Sequence, residues 1–398
     1  MRILKSENLA LSAAVLGVII GMALPGFATK ISLLGDIFIT LLKLSIVPLI
    51  FVSIFLAVAR QRDLHRLSGL GLKTILYFAT TSVLSCSLGM IMAKFLPKAD
   101  RSSIAFEVYK ETSMKEVVFS DMIMGFFSPN LFKSMSDGNI IHIVVVALFM
   151  GMAFLQLSES RKNHLLETFE SLHDIVMVLI KWILIIAPIG IFALVASVTA
   201  KIDHSIFAGL GSLFIAIALG LLLHVFVSLS AIGFFVGRFN PYSFIFRVKE
   251  ILIVALATAS SNATLPVSTR VMVEKEKVDP RTSDFTLPLG ATVNMDGSSL
   301  YQTLIVLYLG YLAGIDFTFS NQVYIFCLIL ISSVGTAGIP GGGLLMIGAV
   351  MQNVGIPLEY LGVYLLIDRV WDPAVTMVNI IGDLFGTKII DRFQRKAH

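Results

Sequence analysis

Charge is scarce in this chain. Asp, Glu, Lys and Arg together make up 14% of its 398 residues, against roughly a quarter in a soluble domain. Cysteine is scarcer still: Cys86 and Cys327 are the only two, and each lies inside an apolar run. That argues against a disulfide framework and for two buried, inert thiols. No Cys/His cluster is present to hold zinc. The net charge of +4 is modest, and the basic residues come in short blocks between apolar runs, such as Arg60-Gln61-Arg62 and Lys275-Glu276-Lys277. Such blocks give no footprint for nucleic acid; they carry topology instead.

What fills the chain is apolar. Hydrophobic residues make up 56% and the mean hydropathy is +0.88, so the chain is built for a solvent less polar than water. Its length leaves room for about eight to ten membrane spans of ~20 residues each. The apolar segments run roughly over 8–28, 36–59, 70–96, 117–157, 166–200, 206–236, 246–275, 284–313, 321–356 and 358–391. The first of them follows Met1-Arg2-Ile3-Leu4-Lys5 and imitates a signal peptide. It is long enough to span, and many spans follow it, so it reads as a retained first helix. Lys and Arg set the orientation. Arg60, Arg62, Arg66, Arg161, Lys162, Arg238, Arg247, Lys249, Lys275, Lys277, Arg281, Arg392, Arg395 and Lys396 fall on one side, which places that side and both termini in the cytoplasm of a cell with this protein in its inner (plasma) membrane.

Two apolar segments are interrupted. Segment 246–275 contains Thr258-Ala259-Ser260-Ser261-Asn262-Ala263-Thr264-Leu265-Pro266, and segment 321–356 contains Gly335-Thr336-Ala337-Gly338-Ile339-Pro340-Gly341-Gly342-Gly343. Backbone groups freed at membrane depth must be buried in protein or line an aqueous cavity. Paired broken segments are the best sequence pointer to a transporter's binding site. A Gly-kinked ordinary helix is the alternative for either one alone. With the orientation above, the first tip approaches the site from inside and the second from outside.

The last segment carries the polar groups. At about 100° per residue, Asp368, Asp372, Thr376, Asn379 and Asp383 fall within a sector of roughly 80°. Ionisable residues inside a membrane are expensive and usually face a pathway. A helix end reaching into water explains Asp368 and Arg369 but not the deeper Asn379 and Asp383. An earlier segment carries Asn294-Met295-Asp296-Gly297-Ser298-Ser299 between apolar stretches. Side-chain oxygens from Asn294, Asp296, Asn379 and Asp383, with carbonyls freed where helices unwind, suit a hard monovalent cation. A helix–helix hydrogen bond is the alternative for Asn294. Ser260-Ser261-Asn262 offers hydroxyls and backbone amides near a helix start, an arrangement that binds carboxylates or merely caps a short helix. Asp372 can pair with an ammonium group, so the set describes a site for a zwitterion. An intramembrane hydrolase is the enzyme alternative, but the Ser260-Ser261 pair has no membrane-embedded His at a plausible partner position, so no enzyme is expected.

These residues resemble a known family, the dicarboxylate/amino acid:cation symporters, which include the glutamate transporters and prokaryotic sodium–aspartate symporters. The resemblance runs nearly end to end and is most specific at Ser260–Pro266, Asn294–Gly297, Gly335–Gly341 and Thr376–Asp383. It implies an all-α membrane protein of eight transmembrane helices and two re-entrant helical hairpins, a homotrimer, and an elevator motion. The scaffold would comprise helices within 8–59, 117–157 and 166–200. The transport domain would comprise 70–96 and 206–391, including hairpins 246–275 and 321–356.

The resemblance also implies one sodium site at Gly290, Asn294, Asn379 and Asp383. A second would use carbonyls of Thr292, Ser333, Val334 and Thr336, and a third Thr81, Ser82, Asn294 and Asp296. Solute contacts would come from Ser260, Ser261, Ser298, Asp372, Thr376, Asn379 and the hairpin from Ala337 through Gly338 and Ile339 to Gly343.

The chain departs from the family pattern in one informative place. Acidic-solute members usually carry an arginine one residue before the threonine of the last helix, where this chain has Val375. The family's other arginine locations hold Ala259 and Pro373, and Phe78 stands where tyrosine is frequent. A second solute carboxylate against Val375 would lack a partner, at a cost of several kcal/mol. The first expectation is therefore a sodium-coupled symporter of a neutral amino acid, with no cofactor beyond the coupling ion. A proton- or sodium-coupled carrier of acidic amino acids or C4-dicarboxylates is the second. An anion-conducting, channel-like protein is the third.

Overall fold

The computed structural model describes residues 2–60, 67–96, 124, 127–201, 205–333 and 342–395, and every regular element among them is helical. The chain opens with α1 (Arg2–Ala23), broken from α2 (Pro25–Lys30) at Leu24 by Pro25, then α3 (Ser32–Ala59). A π-helical turn, Leu67–Gly71, leads into α4 (Leu72–Ala93). Next come α5 (Leu131–Ser136), α6 (Ile140–Phe154), α7 (Glu159–Lys201) and α8 (Ser205–Leu223). A second π-helical turn, His224–Leu229, joins α8 to α9 (Ser230–Phe235).

The second half holds α10 (Pro241–Arg247), α11 (Lys249–Thr258), α12 (Ser261–Glu274), α13 (Pro280–Val293) and α14 (Asp296–Leu312). It closes with α15 (Phe319–Ser333), α16 (Gly342–Asn353) and α17 (Leu361–Arg395).

Among the described residues, five stretches are long and apolar enough to cross a membrane: Ser32–Ala59, Gly69–Ala93, Glu159–Ala200, Gly209–Phe235 and Leu358–Arg395. Their outward faces are apolar. On α7, Trp182, Ile185 and Ile189 are 65%, 74% and 59% exposed, at the spacing of one helix face, which suits hydrocarbon rather than water. The expected segment 117–157 falls partly outside the described residues, and its described part is α5 and α6. The expected segment 284–313 is two helices, α13 and α14, because the chain leaves helical geometry at Asn294 (φ −95°, ψ 88°) and Met295 (φ −112°, ψ 52°).

The helices sort into two groups by contact. α7 lies along α1 and α3, and α3 along α6. α14 is enclosed by α4, α8, α15 and α17, while α11, α12 and α13 pack on α17. The groups meet where α17 touches α1 and α7, α16 touches α3, and α15 touches α6. Nearly every side chain of α14 is buried, so this helix forms the centre of the second group, and its N-terminal end starts in the interior.

One ion cluster ties the loop after α12 to two helices. Glu276 is buried, and it accepts hydrogen bonds from Arg247 Nε at 2.6 Å and Nη2 at 3.1 Å, and from Lys388 Nζ at 2.9 Å. Burial alone would raise its carboxyl pKa. The Arg247 and Lys388 hydrogen bonds outweigh that and hold it below the ordinary range. Glu276→Gln is expected to lower stability by about 2 kcal/mol, the scale of a hydrogen bond to a charged group. Because the folded-state pKa is depressed, the advantage of Glu over Gln is present above the unfolded carboxyl's pKa of about 4.5. It is lost as pH falls through the lower, folded-state value. Thermal unfolding of both proteins at pH 7 and below 4 checks this: the gap in melting temperature should shrink in acid.

Candidate functional site

Two interruptions of helix among the described residues meet α17. The first is Ala259-Ser260, between α11 and α12. Ala259 takes a left-handed conformation (φ 45°, ψ 37°), and Ser260 Oγ accepts the Ala263 amide at 3.2 Å, capping α12. The second is Asn294-Met295, between α13 and α14. The interruption expected at 335–343 falls almost wholly in 334–341, outside the described residues, and with it Val334, Thr336, Ala337, Gly338 and Ile339. At each described break, helix-end groups lose their intrahelical partners and present partial charges to the interior.

Around the second break lies a buried polar knot. Asn294 Nδ2 donates to Asp383 Oδ1 at 2.9 Å, and Asn294 Oδ1 accepts from Thr81 Oγ1 at 3.2 Å. Asp296 accepts from Ser82 Oγ at 3.0 Å, its carbonyl accepts from Ser85 Oγ, and its Oδ2 lies 3.3 Å from His224 Nε2. Asn379 Oδ1 accepts the Ser298 amide at 3.2 Å, satisfying one first-turn amide of α14, and its Nδ2 donates to Ser298 Oγ at 3.1 Å. Tyr77 OH donates to the Gly382 carbonyl at 3.2 Å. Asn294, Asp296, Asn379, Asp383, Thr81 and Ser82 are all buried. Neither Asp296 nor Asp383 is paired with Lys or Arg among the described residues.

Glycine is required at two points of this knot. A Cβ on Gly290 would run into Asp383 Oδ1. One on Gly382 would sit 2.5 Å from Asn294 Nδ2 and 2.9 Å from Asp296 Oδ2. These absent side chains are what let the two acids and Asn294 approach across three helices. Phe78 packs in the same region, its ring 3.0 Å from where the Gly290 Cβ would be.

The structure distributes the expected residues as follows. Thr81 bonds Asn294, and Ser82 bonds Asp296. Gly290, Asn294 and Asp383 meet directly, while Asn379 reaches the N-terminal turn of α14. Thr292, in the last turn of α13, bonds Leu289 O at 3.0 Å, and Ser333, at the end of α15, bonds Leu330 O at 2.9 Å. Ser261, Ser298, Gly343, Asp372, Val375, Thr376 and Asn379 line one pocket, with about 400 Å³ free of protein atoms counting its open mouth. Ser260 caps α12 and is not on the pocket wall. Arg369 is not on the wall either.

Several residues escaped the sequence reading. His224 is the clearest. It lies embedded in an apolar run and sits on Asp296, not on Ser260 or Ser261. Its isolation within Leu221-Leu222-Leu223-His224-Val225-Phe226 was the available signal. Tyr301, Gln302 and Tyr364 also line the pocket, beside Asp368 of the polar stripe. Tyr301 and Gln302 follow Ser298 by three and four residues, and Tyr364 precedes Asp368 by four, the spacings of one helix face.

Chemically, the knot offers two buried carboxylates among carbonyl, amide and hydroxyl oxygens. A buried carboxylate without a basic partner, as Asp383 is among the described residues, is unfavourable unless a cation or proton compensates it. The pocket beside it offers carboxylates and hydroxyls, with no Lys or Arg among its described lining residues.

The sequence pattern of the sodium:dicarboxylate symporter family matches residues 8–393. Neutral amino acid transporter B(0) of Oryctolagus cuniculus is 31% identical, covering 97% of this chain and 79% of its own. The proton/sodium-glutamate symport protein of Bacillus caldotenax is 31% identical, covering 96% and 92%. Excitatory amino acid transporter 3 of Oryctolagus cuniculus is 30% identical, covering 99% and 87%.

Proposed function

The chain belongs to the sodium:dicarboxylate symporter family, a family of membrane transporters, and on that premise we propose that it couples sodium influx to uptake of a neutral amino acid. The observation that carries the choice of solute is Val375. It is buried on a pocket wall that holds Asp368 and Asp372 and, among the described residues, no Lys or Arg. A solute with a second carboxylate would be desolvated there against like charge. Asp372 pairs with the solute ammonium. Ser261, Ser298, Thr376, Asn379 and the tip of the 321–356 hairpin hold its carboxylate, and Val375 lines the side-chain end.

Sodium is held by Asn294, Asp383, Asn379 and the Gly290 carbonyl, by Thr81, Ser82, Asn294 and Asp296, and by the helix-end carbonyls of Thr292, Ser333, Val334 and Thr336. Half-helix ends and hard oxygens support these assignments. α11–α12 and α15–α16 act as re-entrant hairpins within an eight-span fold, with both termini cytoplasmic. The group around α14 and α17 is the moving transport domain, and α1, α3, α6 and α7 belong to the scaffold of a homotrimer.

The name of one relative, a proton/sodium-glutamate symport protein, favours a second reading, a carrier of acidic solutes. Purified protein in liposomes, with sodium and proton gradients varied separately, separates the two. Sodium-driven accumulation of alanine and serine, weakly inhibited by aspartate, is expected. Aspartate or succinate outcompeting neutral amino acids overturns the solute assignment, proton-only drive overturns sodium coupling, and gradient-independent flux overturns coupling altogether.

A further inference from the structure

Part of the pocket wall is buried, polar and unmatched. Gln302 is fully buried, yet neither its Oε1 nor its Nε2 makes a hydrogen bond among the described residues. The Tyr301 hydroxyl, on a residue 3% exposed, is likewise unmatched. So is Oδ2 of Asp368, 2% exposed, whose Oδ1 accepts from Tyr364 OH at 2.5 Å. All three residues line the same pocket as Asp372 and Val375. Gln302 lies one helical turn beyond Ser298 on α14, and Asp368 one turn before Asp372 on α17, so the unmatched groups extend the wall past the residues proposed to hold the ammonium and carboxylate. An unmatched buried polar atom is unfavourable, and three residues carrying such atoms on one wall point to a ligand that completes them.

We propose that this wall is the solute's side-chain subsite, and that it selects an uncharged side chain that both donates and accepts hydrogen bonds, a carboxamide or a hydroxyl. This rests on the reading of the site as one for a neutral amino acid. The argument is an inventory of the groups present. Asp368 Oδ2 and Gln302 Oε1 accept, Gln302 Nε2 donates, and the Tyr301 hydroxyl does either. A side-chain carboxylate uses only the donors and lies against Asp368. A side-chain ammonium uses only the acceptors and faces the Gln302 N–H groups. An aliphatic side chain leaves the whole set unmatched. A carboxamide or hydroxyl satisfies both kinds at once.

Isosteric solute pairs test this in liposomes under a fixed inward sodium gradient: asparagine against leucine and threonine against valine, with alanine as reference and lysine and aspartate as competitors. Asparagine and threonine should each have a KM lower than the aliphatic partner by at least about tenfold, since a site built to hydrogen-bond rejects the analogue that cannot. Tyr301→Phe and Gln302→Leu should each bring that ratio toward one. Tyr301→Phe removes a single oxygen and serves if Gln302→Leu does not fold. Equal KM within the pairs, lysine outcompeting asparagine, or an undiminished ratio in both variants overturns the proposal, while alanine uptake shows that the neutral amino acid reading stands. Aspartate outcompeting every neutral solute overturns that reading, and the proposal with it.

Discussion

Asp383→Asn is expected to weaken sodium dependence of uptake by about a hundredfold or more, equivalent to ~2.7 kcal/mol, while leaving the protein folded. The Asp383 carboxylate is 2% exposed and its only described side-chain donor is Asn294 Nδ2 at 2.9 Å. A charge so placed gains little from protein groups and much from a cation, so removing it takes away the attraction that desolvates sodium. The neutral amide is isosteric, and burying it costs less than burying an uncompensated carboxylate. Stability in sodium-free buffer should therefore be unchanged or raised. The discriminating readout is the thermal shift. Sodium should raise the melting temperature of the wild type by linkage and should do so much less for the variant. An equal shift in both would show that Asp383 does not hold the ion.

How much of this was visible beforehand depends on how local each cause is. The stripe from Asp368 to Asp383 was legible because α17 is one continuous helix running through Pro373, so a uniform rotation per residue places its polar groups. The first interruption was legible from its Ser- and Pro-rich composition. The break between α13 and α14 was not. Asn294-Met295 lacks a Gly or Pro of its own, and what holds it open is distant: Thr81 on α4, Asp383 on α17, and glycines at 290 and 382 that permit the approach. His224 was missed for the same reason, since Asp296 lies 72 residues away along the chain. Tyr301 and Gln302 looked like ordinary residues of a buried helix. Their significance lies in bonds they do not make, and only the assembled pocket shows that.

Val375→Arg is expected to move selectivity toward acidic solutes, raising the ratio of aspartate to neutral amino acid uptake efficiency by about a hundredfold. The direction follows from charge and the size from hydrogen bonding. Val375 is 4% exposed on the pocket wall, so a guanidinium there is partly desolvated, and each hydrogen bond it makes to a carboxylate contributes about 1.5–3 kcal/mol. Its planar fork can take a solute carboxylate in a bidentate pair. It also meets a wall that already carries Asp368, whose Oδ2 has no partner among the described residues. The new side chain therefore has a buried counter-charge to hold it when no solute is bound, which limits the destabilisation that an unpaired buried cation would bring. The same pairing explains why neutral solutes should lose. An arginine that engages Asp368 and presents spare N–H groups presents donors in excess, which a carboxamide matches poorly and a carboxylate matches well. Uptake of aspartate, asparagine and alanine by the two proteins under one sodium gradient measures the change. If Val375→Arg folds, binds sodium and keeps the wild-type order of preference, Val375 does not face the solute side chain.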